Sequence, residues 1–242
     1  LSLAVDREQL VAMLGRGEIA AWGLLPPAVV AGPSAAYEWR TLDRPARERR
    51  AREALAAATA RGPLPPIELT YDAGDVHRQV AVAVRAMWQE VLGIEVTLRQ
   101  LEWKAFLDLR ADRDSWQVMR FAWAGDYDDA GTFTGLFVSG GENNLPGYAD
   151  PRYDDLLRRA AAEADPAVRA ALLADAERLL LAAYPVVPLY FMTAKHLVAP
   201  RVQGFRPNAL DRQPSRWLRL EPLSPRSGSS AAARCGSGDA AS

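Results

Sequence analysis

The spacing of apolar and polar residues along the chain alternates between strand-like and helix-like patterns. Ile67–Tyr71 is a short apolar run, and Ile94, Val96 and Leu98 alternate with polar residues, so two strands are predicted. A helix is predicted between them from five apolar residues at helical spacing: Val76, Val80, Val84, Met87 and Val91. This strand–helix–strand order predicts an α/β protein with a mixed, partly parallel sheet flanked by helices.

The remaining pattern predicts further helices and strands on both sides of this unit. The predicted helices are Leu1–Leu14, Arg44–Arg61, Trp103–Arg110, Pro151–Ala164 and a segment from Asp165 to about Ala183. The predicted strands are Gln117–Trp123, Val186–Phe191 and Leu197–Ala199. Asp75 is the predicted N-cap of the central helix and Gly93 its stop. Arg7 and the arginines of Arg44–Arg61 are assigned to solvated helix faces.

Composition excludes several classes of function. The 242 residues carry a net charge of −1, which gives no reason to expect nucleic acid or a membrane surface as a partner. No apolar run approaches the roughly 20 residues that cross a bilayer, and no signal peptide is visible. Cys235 lies in a tail rich in Ser, Gly and Ala, residues 223–242, which is predicted to be disordered. His77 and His196 are far apart and lack ligand spacing, so neither a metal nor another cofactor is expected.

Motifs typical of enzymes are also missing from the sequence. There is no GxSxG, no phosphate-binding GxxxxGK[ST], no GxGxxG after a strand and no HExxH. Asp75 and His77 could form part of a hydrolase centre, but no serine or cysteine is placed as its nucleophile. The chain is therefore predicted not to be an enzyme.

The most informative segment is Trp116–Phe133, WQVMRFAWAGDYDDAGTF. It predicts an apolar strand that contains an arginine and delivers Trp123, Asp126 and Tyr127 to its carboxyl end. Ligand crevices of open α/β sheets lie beyond the carboxyl ends of strands. The alternative is a strand followed by an acidic surface turn.

Five segments in this order resemble the C-terminal half of the family 5 extracellular solute-binding proteins, the peptide-binding proteins of bacterial ABC importers. They are LSLAVDREQLV, LTYDAGDVHRQVAVAVRAMWQEVLGIEVTLRQLEWKAFLD, WAGDY, GYADPRYDDLL and YPVVPLYFMTAKHLVAPRVQGF. The resemblance covers Leu1 to Pro222 and is strongest to the oligopeptide and murein-peptide binders.

The resemblance implies one lobe of a two-lobed periplasmic-binding-protein fold, the class II clamshell. Residues 1–199 are expected to form the C-terminal ligand-binding lobe, and residues 200–222 to return to an N-terminal lobe that is missing here. The implied ligand is a short peptide, the implied partner is an inner-membrane ABC permease, and the implied compartment is periplasmic or extracytoplasmic. The same scaffold could instead bind nickel, a sugar or a cell-wall peptide.

The resemblance also implies roles for five side chains. Asp126 matches the aspartate that holds the α-ammonium group of the peptide, and Trp123 matches the tryptophan beside it. His77, Arg120 and Arg110 match positions that bind the C-terminal carboxylates of peptides of different lengths. In a single lobe, Asp126, Arg120 and His77 are expected to face open solvent.

Each of these assignments has a structural alternative. Trp123 could be a core residue, Arg120 could form a structural salt bridge, and His77 could be an exposed residue of a first helical turn. Arg110 is separated from Arg120 by one residue more than in the family, which could turn its side chain elsewhere. Asp129 is followed by Ala130 where the family usually has a proline, which leaves the shape of that turn open.

Overall fold

The computed structural model describes residues 1–30, 32 and 35–222 and divides the chain into two units. The first unit is Leu1–Ala194, and the second begins at Lys195. The sequence-based boundary, between residues 199 and 200, falls slightly later. The predicted disordered tail, residues 223–242 with Cys235, lies outside the described residues.

A three-stranded parallel sheet forms the centre of the first unit. Its strands are β2 (Ile67–Asp72), β3 (Val96–Leu101) and β4 (Val118–Met119), in the order β3-β2-β4. β2 pairs with β3 along its whole length, from Ile67 opposite Val96 to Asp72 opposite Leu101. Because all three strands are parallel, their carboxyl ends meet at one edge of the sheet.

Helix α3 (Asp75–Leu92) connects β2 to β3 and covers the sheet. Its predicted apolar face is confirmed, since Val80, Val84, Met87 and Val91 are buried in the main core. Gly93 ends the helix with a φ of 66°, as predicted, because a left-handed residue favours glycine. The N-cap prediction was wrong. Gly74 occupies that position, and Asp75 is the first helical residue.

The predicted first helix is divided into a 3₁₀ turn, Ser2–Ala4, and α1 (Arg7–Leu14). Asp6 between them is the N-cap, and its carboxylate accepts from the backbone N–H of Gln9 at 2.9 Å. α2 is Arg44–Thr59 and is capped by Asp43. The prediction of solvated arginines was wrong for one residue of α1 and one residue of α2.

Arg7 and Arg47 were predicted to lie on solvated faces and are instead buried. The guanidinium of Arg47 lies 4.9 Å from the ring centre of Trp22, and that of Arg7 lies 5.1 Å from the same ring. Both cations therefore stack on an aromatic surface, which the charge pattern of their own helices did not reveal.

Three of the other helices were predicted: α4 (Trp103–Ala111), α6 (Pro151–Ala162) and α7 (Pro166–Ala183). The short helix α5 (Gly131–Thr134) was not predicted. Asp150 and Asp165 are side-chain N-caps, and each is followed by a proline at the first helical position. No helix among residues 1–30, 32 and 35–222 combines the length and the apolar character that a bilayer crossing requires.

The strands outside the parallel sheet are short and do not extend it into one mixed sheet. β1 (Ile19–Ala20) pairs antiparallel with β5 (Tyr190–Phe191). The predicted strand Gln117–Trp123 is regular only at Val118–Met119, and of Val186–Phe191 only the last two residues are a strand. Beyond Arg120, whose N–H donates to the carbonyl of Thr70 at 2.8 Å, the chain leaves the sheet.

The second unit contains one antiparallel pair, β6 (Val202–Gln203) with β7 (Arg219–Leu220). The predicted strand Leu197–Ala199 is irregular. Leu197 is fully exposed, so this segment lacks the buried face that its apolar residues suggested.

Candidate functional site

The carboxyl end of β2 brings three charged or titratable side chains together. Asp72, the last residue of β2, is buried. Its Oδ2 lies 2.8 Å from Nδ1 of His77, in the first turn of α3, and its Oδ1 lies 3.6 Å from Nη1 of Arg120, just after β4. Two of the predicted site residues, His77 and Arg120, therefore meet at one carboxylate that was not predicted.

Arg120 is held on both sides of its guanidinium. Besides the pair with Asp72, Nη2 donates to the hydroxyl of Tyr190 on β5 at 3.4 Å. Only 8% of its side chain is exposed, so the expectation that it faces open solvent was wrong. The structural salt bridge, which was the alternative for this residue, is present. Its role toward a ligand stays a prediction.

His77 is more accessible than Arg120, with 29% of its side chain exposed. Its contact with Asp72 is short, but the angles do not fit a hydrogen bond, so the contact is one of proximity to a carboxylate. Within the described residues, the polar neighbour of the imidazole is Asp72 and not Asp75, and no serine or cysteine hydrogen-bonds to it. The hydrolase centre imagined around Asp75 and His77 therefore lacks a nucleophile in this part of the chain.

Trp123 lies on the segment that follows Arg120 and is half-buried. Its ring packs against a core cluster from the loop after β1, α5, α6 and α7, whose buried members are Leu25, Ala130, Phe133, Ala160, Leu172 and Leu173. The indole N–H is enclosed and finds no acceptor in the part of the chain that the structure describes. The ring is thus a packing residue with one unsatisfied donor.

Asp126 is exposed, and its carboxylate forms no ion pair with any described residue. Its backbone is fixed, because its N–H donates to Oγ1 of Thr132 at 3.0 Å. Gly125 allows this close approach: a Cβ there would lie 3.2 Å from Cγ2 of Thr132. The site therefore presents a carboxylate without an ion-pair partner among the described residues, on a turn that this hydrogen bond holds, three residues after Trp123.

The turn after Asp126 is held by an ion pair with a distant helix. Both carboxylate oxygens of Asp129 accept from Arg169 of α7, each at 2.7 Å, and Oδ1 also accepts from the N–H of Gly131 at 2.6 Å. These hydrogen bonds, above all those from Arg169, hold the pKa of Asp129 below its usual value. Ala130, at the position of the usual proline, is buried in the same core cluster as the ring of Trp123.

Arg110, on α4, is directed toward an aromatic ring. Its guanidinium carbon lies 5.2 Å from the ring centre of Phe121. Phe121 in turn stacks on Phe106 at 6.5 Å, and Phe106 stacks on Trp103 at 6.0 Å. Arg110 thus makes a cation–π contact and has no ion-pair partner among the described residues.

The described residues contain no group of three His, Cys, Asp or Glu side chains that could hold a metal ion. The charged groups that meet at the carboxyl end of β2 are the carboxylate of Asp72 and the guanidinium of Arg120, with the imidazole of His77 beside them.

The sequence of residues 1–145 matches the family model for bacterial extracellular solute-binding proteins, described as family 5 Middle. The chain belongs to this family. Solved structures similar to this chain include periplasmic peptide-binding proteins, and its α/β fold is that of their class II clamshell. The *Escherichia coli* murein tripeptide-binding protein MppA aligns with a TM-score of 0.81 and 29% identity, over 90% of this chain and 43% of that one.

Two curated relatives are similar over most of this chain. The periplasmic murein peptide-binding protein MppA of *Escherichia coli* K12 is 31% identical over 208 residues, and the periplasmic oligopeptide-binding protein OppA of *Salmonella typhimurium* LT2 is 33% identical over 208 residues. In both cases the match covers 85% of this chain and 38% of the relative, so the family 5 chain spans well under half of their length. A solved OppA of *Burkholderia pseudomallei* aligns with a TM-score of 0.80 and 32% identity, over 91% of this chain and 44% of that one.

Sequence reasoning missed three residues that shape the site of this family 5 chain: Asp72, Tyr190 and Arg169. Asp72 could have been predicted as a site residue, since it is a charged residue at the end of an apolar strand, where the ligands of such sheets bind. Tyr190 and Arg169 could not have been predicted, because each reaches the site from an element far away in the sequence.

Proposed function

We propose that this chain is the ligand-binding lobe of the substrate-binding component of a bacterial ABC importer, and that it captures short peptides outside the cytoplasm. A second lobe and an inner-membrane permease are the partners. The single observation that carries the proposal is the carboxylate of Asp126, without an ion-pair partner among the described residues, on a turn three residues after Trp123, in a chain whose relatives bind peptides. The proposed role is binding without turnover of the ligand.

Asp126 is the proposed partner of the α-ammonium group of the peptide. A binder that accepts many peptides reads what all of them share, which is the backbone and the two charged ends. Two unit charges 4 Å apart attract by about 4 kcal/mol at an effective dielectric of 20, before desolvation is subtracted. Closure of a second lobe over this turn excludes water and strengthens that attraction.

The carboxylate end of the peptide is proposed to meet the cations His77, Arg120 and Arg110. Of the two residues that contact Asp72, His77 is more accessible to solvent than Arg120. Arg110, on α4, lies over the ring of Phe121. Arginine suits a carboxylate because its planar group donates two parallel hydrogen bonds. Side chains between the two ends are proposed to lie in hydrated pockets, where water adapts to their variety.

The proposal predicts that Asp126→Asn weakens binding of peptides with a free amino terminus by roughly 2–4 kcal/mol, the range for truncating one partner of a buried charged pair. The binding protein for this test is a chimera in which residues 1–222 replace the matched segment of *E. coli* MppA. Isothermal titration calorimetry with tri- to pentapeptides gives the affinities. Asp128→Asn is the matched control, since Asp128 lies on the same exposed turn without an ion pair among the described residues.

N-acetylation of the peptide should reproduce the effect of Asp126→Asn, because it removes the ammonium charge. An N-acetylated peptide and Asp126→Asn together should lower the binding free energy by little more than either change alone. Equal affinities for acetylated and free peptides in the unmutated chimera would contradict the role of Asp126. Products of peptide cleavage in the same samples, detected by mass spectrometry, would contradict a purely binding role.

For the other end, Arg120→Ala is expected to lower the affinity for peptides with a free carboxylate more than for the corresponding C-terminal amides, since the lost partner is a charge. Calorimetry on acid and amide pairs measures the difference. Arg99→Ala is the control, because Arg99, on β3, also pairs with a carboxylate of β2, that of Glu68 at 3.3 Å, but Glu68 lies near the start of β2 and Asp72 at its end. An equal loss for acids and amides would mean that Arg120 acts only through the fold.

A non-peptide ligand is the second candidate, and one comparison favours it. The probable deoxycholate-binding periplasmic protein YgiS of *Escherichia coli* K12 is 35% identical over 210 residues, covering 85% of this chain. Besides these non-peptide ligands, which include nickel or a sugar, the scaffold leaves a cell-wall peptide as a ligand. Calorimetry of the same chimera against deoxycholate, nickel, a sugar and a murein tripeptide separates these candidates from ordinary peptides.

A further inference from the structure

The carboxylate of Asp72 already lies beside two of the residues that were predicted to bind a ligand carboxylate, Arg120 and His77. One oxygen lies 3.6 Å from Arg120 and the other 2.8 Å from His77. The side chains of Asp72 and Arg120 are each exposed by no more than 10%, so neither charge is well screened by water. With Asp72 ionised, the charges of Asp72 and Arg120 cancel.

We propose that Asp72 is a specificity-determining residue whose carboxylate competes with a ligand carboxylate for Arg120 and His77. The inference deepens the proposed function and rests on it. Asp72 thereby reduces the advantage that a terminal carboxylate has at this end of the site over a peptide that is uncharged there, either a C-terminal amide or a main chain that continues past the site. Asp72 can accept a hydrogen bond from the N–H of such a chain, whereas it repels a terminal carboxylate.

Two effects act in the same direction. In the free protein, Arg120 already forms an ion pair with Asp72. A ligand carboxylate that replaces Asp72 therefore adds to the binding free energy only the difference between two similar ion pairs. In the complex, two carboxylates would lie side by side at a poorly hydrated edge, where like charges strongly disfavour joint ionisation. The hydrogen bond to Tyr190 restrains the guanidinium from turning away from Asp72 toward the ligand.

The test uses Asp72→Asn, which keeps the shape of the side chain and removes its charge. The probes are N-acetyl-alanyl-alanine as the free acid and as the C-terminal amide, because acetylation limits binding to this end of the site. Each is titrated into the ¹⁵N-labelled 242-residue chain, and NMR shifts of the Arg120 backbone N–H and Nε–H are followed. We expect the acid to bind Asp72→Asn about tenfold more tightly than the unmutated chain, with the amide unchanged within about twofold.

Two variants serve as controls for charge and for folding. Glu68→Gln removes another carboxylate of the same strand that pairs with an arginine, Arg99, and it should leave both affinities unchanged. Asp72→Glu keeps the charge and should not gain affinity for the acid. If thermal unfolding shows that Asp72→Asn is not folded, Asp72→Ser removes the same charge with a smaller side chain, and the same gain is expected.

A gain for the acid alone supports the inference. An unchanged or weaker affinity for the acid in the folded charge-free variant overturns it, and means that Asp72 orients His77 and Arg120 for the ligand. An equal gain in affinity for the acid and the amide also overturns it, since the effect of the substitution would then be steric and not electrostatic. If the acid-specific gain occurs while Asp126→Asn binds free-amine peptides as the unmutated chimera does, the role of Asp72 stands and the proposed recognition of both peptide ends fails.

Discussion

Replacing Glu177 with alanine is expected to lower the free energy of unfolding by about 3 kcal/mol or more. Glu177 lies on α7 and is completely buried. One carboxylate oxygen accepts from the backbone N–H groups of Leu24 at 2.6 Å and Leu25 at 2.9 Å, and the other accepts from that of Ala35 at 2.9 Å. Alanine would leave three buried donors without an acceptor, each at a cost of about 1–3 kcal/mol. Chemical denaturation followed by tryptophan fluorescence measures the change.

Asp175→Ala on the same helix is the matched control, since Asp175 forms only an exposed pair with Arg178 and should cost less than about 1 kcal/mol. The carboxylate of Glu177 also predicts a pH effect. Burial raises its pKa, so the folded state binds its proton more readily than the unfolded chain does. As the pH falls through that raised pKa, the unmutated chain should therefore gain stability relative to Glu177→Gln. A loss of less than about 1 kcal/mol in Glu177→Ala would contradict the anchoring role.

Replacing Arg7 with methionine is expected to destabilise the chain by about 3 kcal/mol, although methionine preserves much of the volume. The Arg7 side chain donates to the carbonyls of Ala21 and Pro188, both at 2.8 Å, and to Ser2 and Val5. Methionine would leave these buried acceptors unpaired and would remove the cation from the aromatic rings around it. Burial lowers the pKa of the guanidinium to about 10, so it is charged at neutral pH.

Arg7→Lys should recover little of this stability, because an ammonium group cannot reach carbonyls on opposite sides as the guanidinium does. Arg49→Met, on the exposed face of α2, is the control and should be nearly neutral. Differential scanning calorimetry at pH 7 compares the variants. Similar transition temperatures for Arg7→Met and Arg49→Met would show that the buried contacts of the Arg7 guanidinium add nothing to stability.

The parts of the fold that the sequence predicted well are those whose signal is local. α3 was correct in type and extent because its apolar residues lie on one face, and Gly93 supplies the left-handed residue at its end. The start of α7 was located by an aspartate followed by a proline, which is a cap signal within two residues. In each case the residues that decide the structure are neighbours in the chain.

The failures have the opposite origin. The sequence pattern places Arg7 on the solvated face of a helix, but Trp22, Tyr37 and Trp39 enclose it. These rings come from a segment in which no helix or strand was predicted. β4 was predicted too long because the chain leaves the sheet after Arg120, so that Trp123 can pack on a separate core.

At the site, the sequence did not reveal which side chains meet. Arg120 was expected inside a strand and lies just after β4, and His77 lies in the first turn of α3. That both would meet Asp72 could not be read from the sequence, because the contact depends on the register of β4 against β2. The same holds for Asp129, whose partner Arg169 lies on α7.

The link between the start and the end of the first unit has a consequence for synthesis on the ribosome. Arg7 and β1 find their partners at Pro188 and β5, almost at the end of that unit. The parallel sheet can pair as soon as β4 has emerged, but the first twenty or so residues must wait while most of the unit is translated. Contacts of such large sequence separation form late and slowly. During that interval the guanidinium of Arg7 and the rings of Trp22, Tyr37 and Trp39 remain open to solvent and to chaperones.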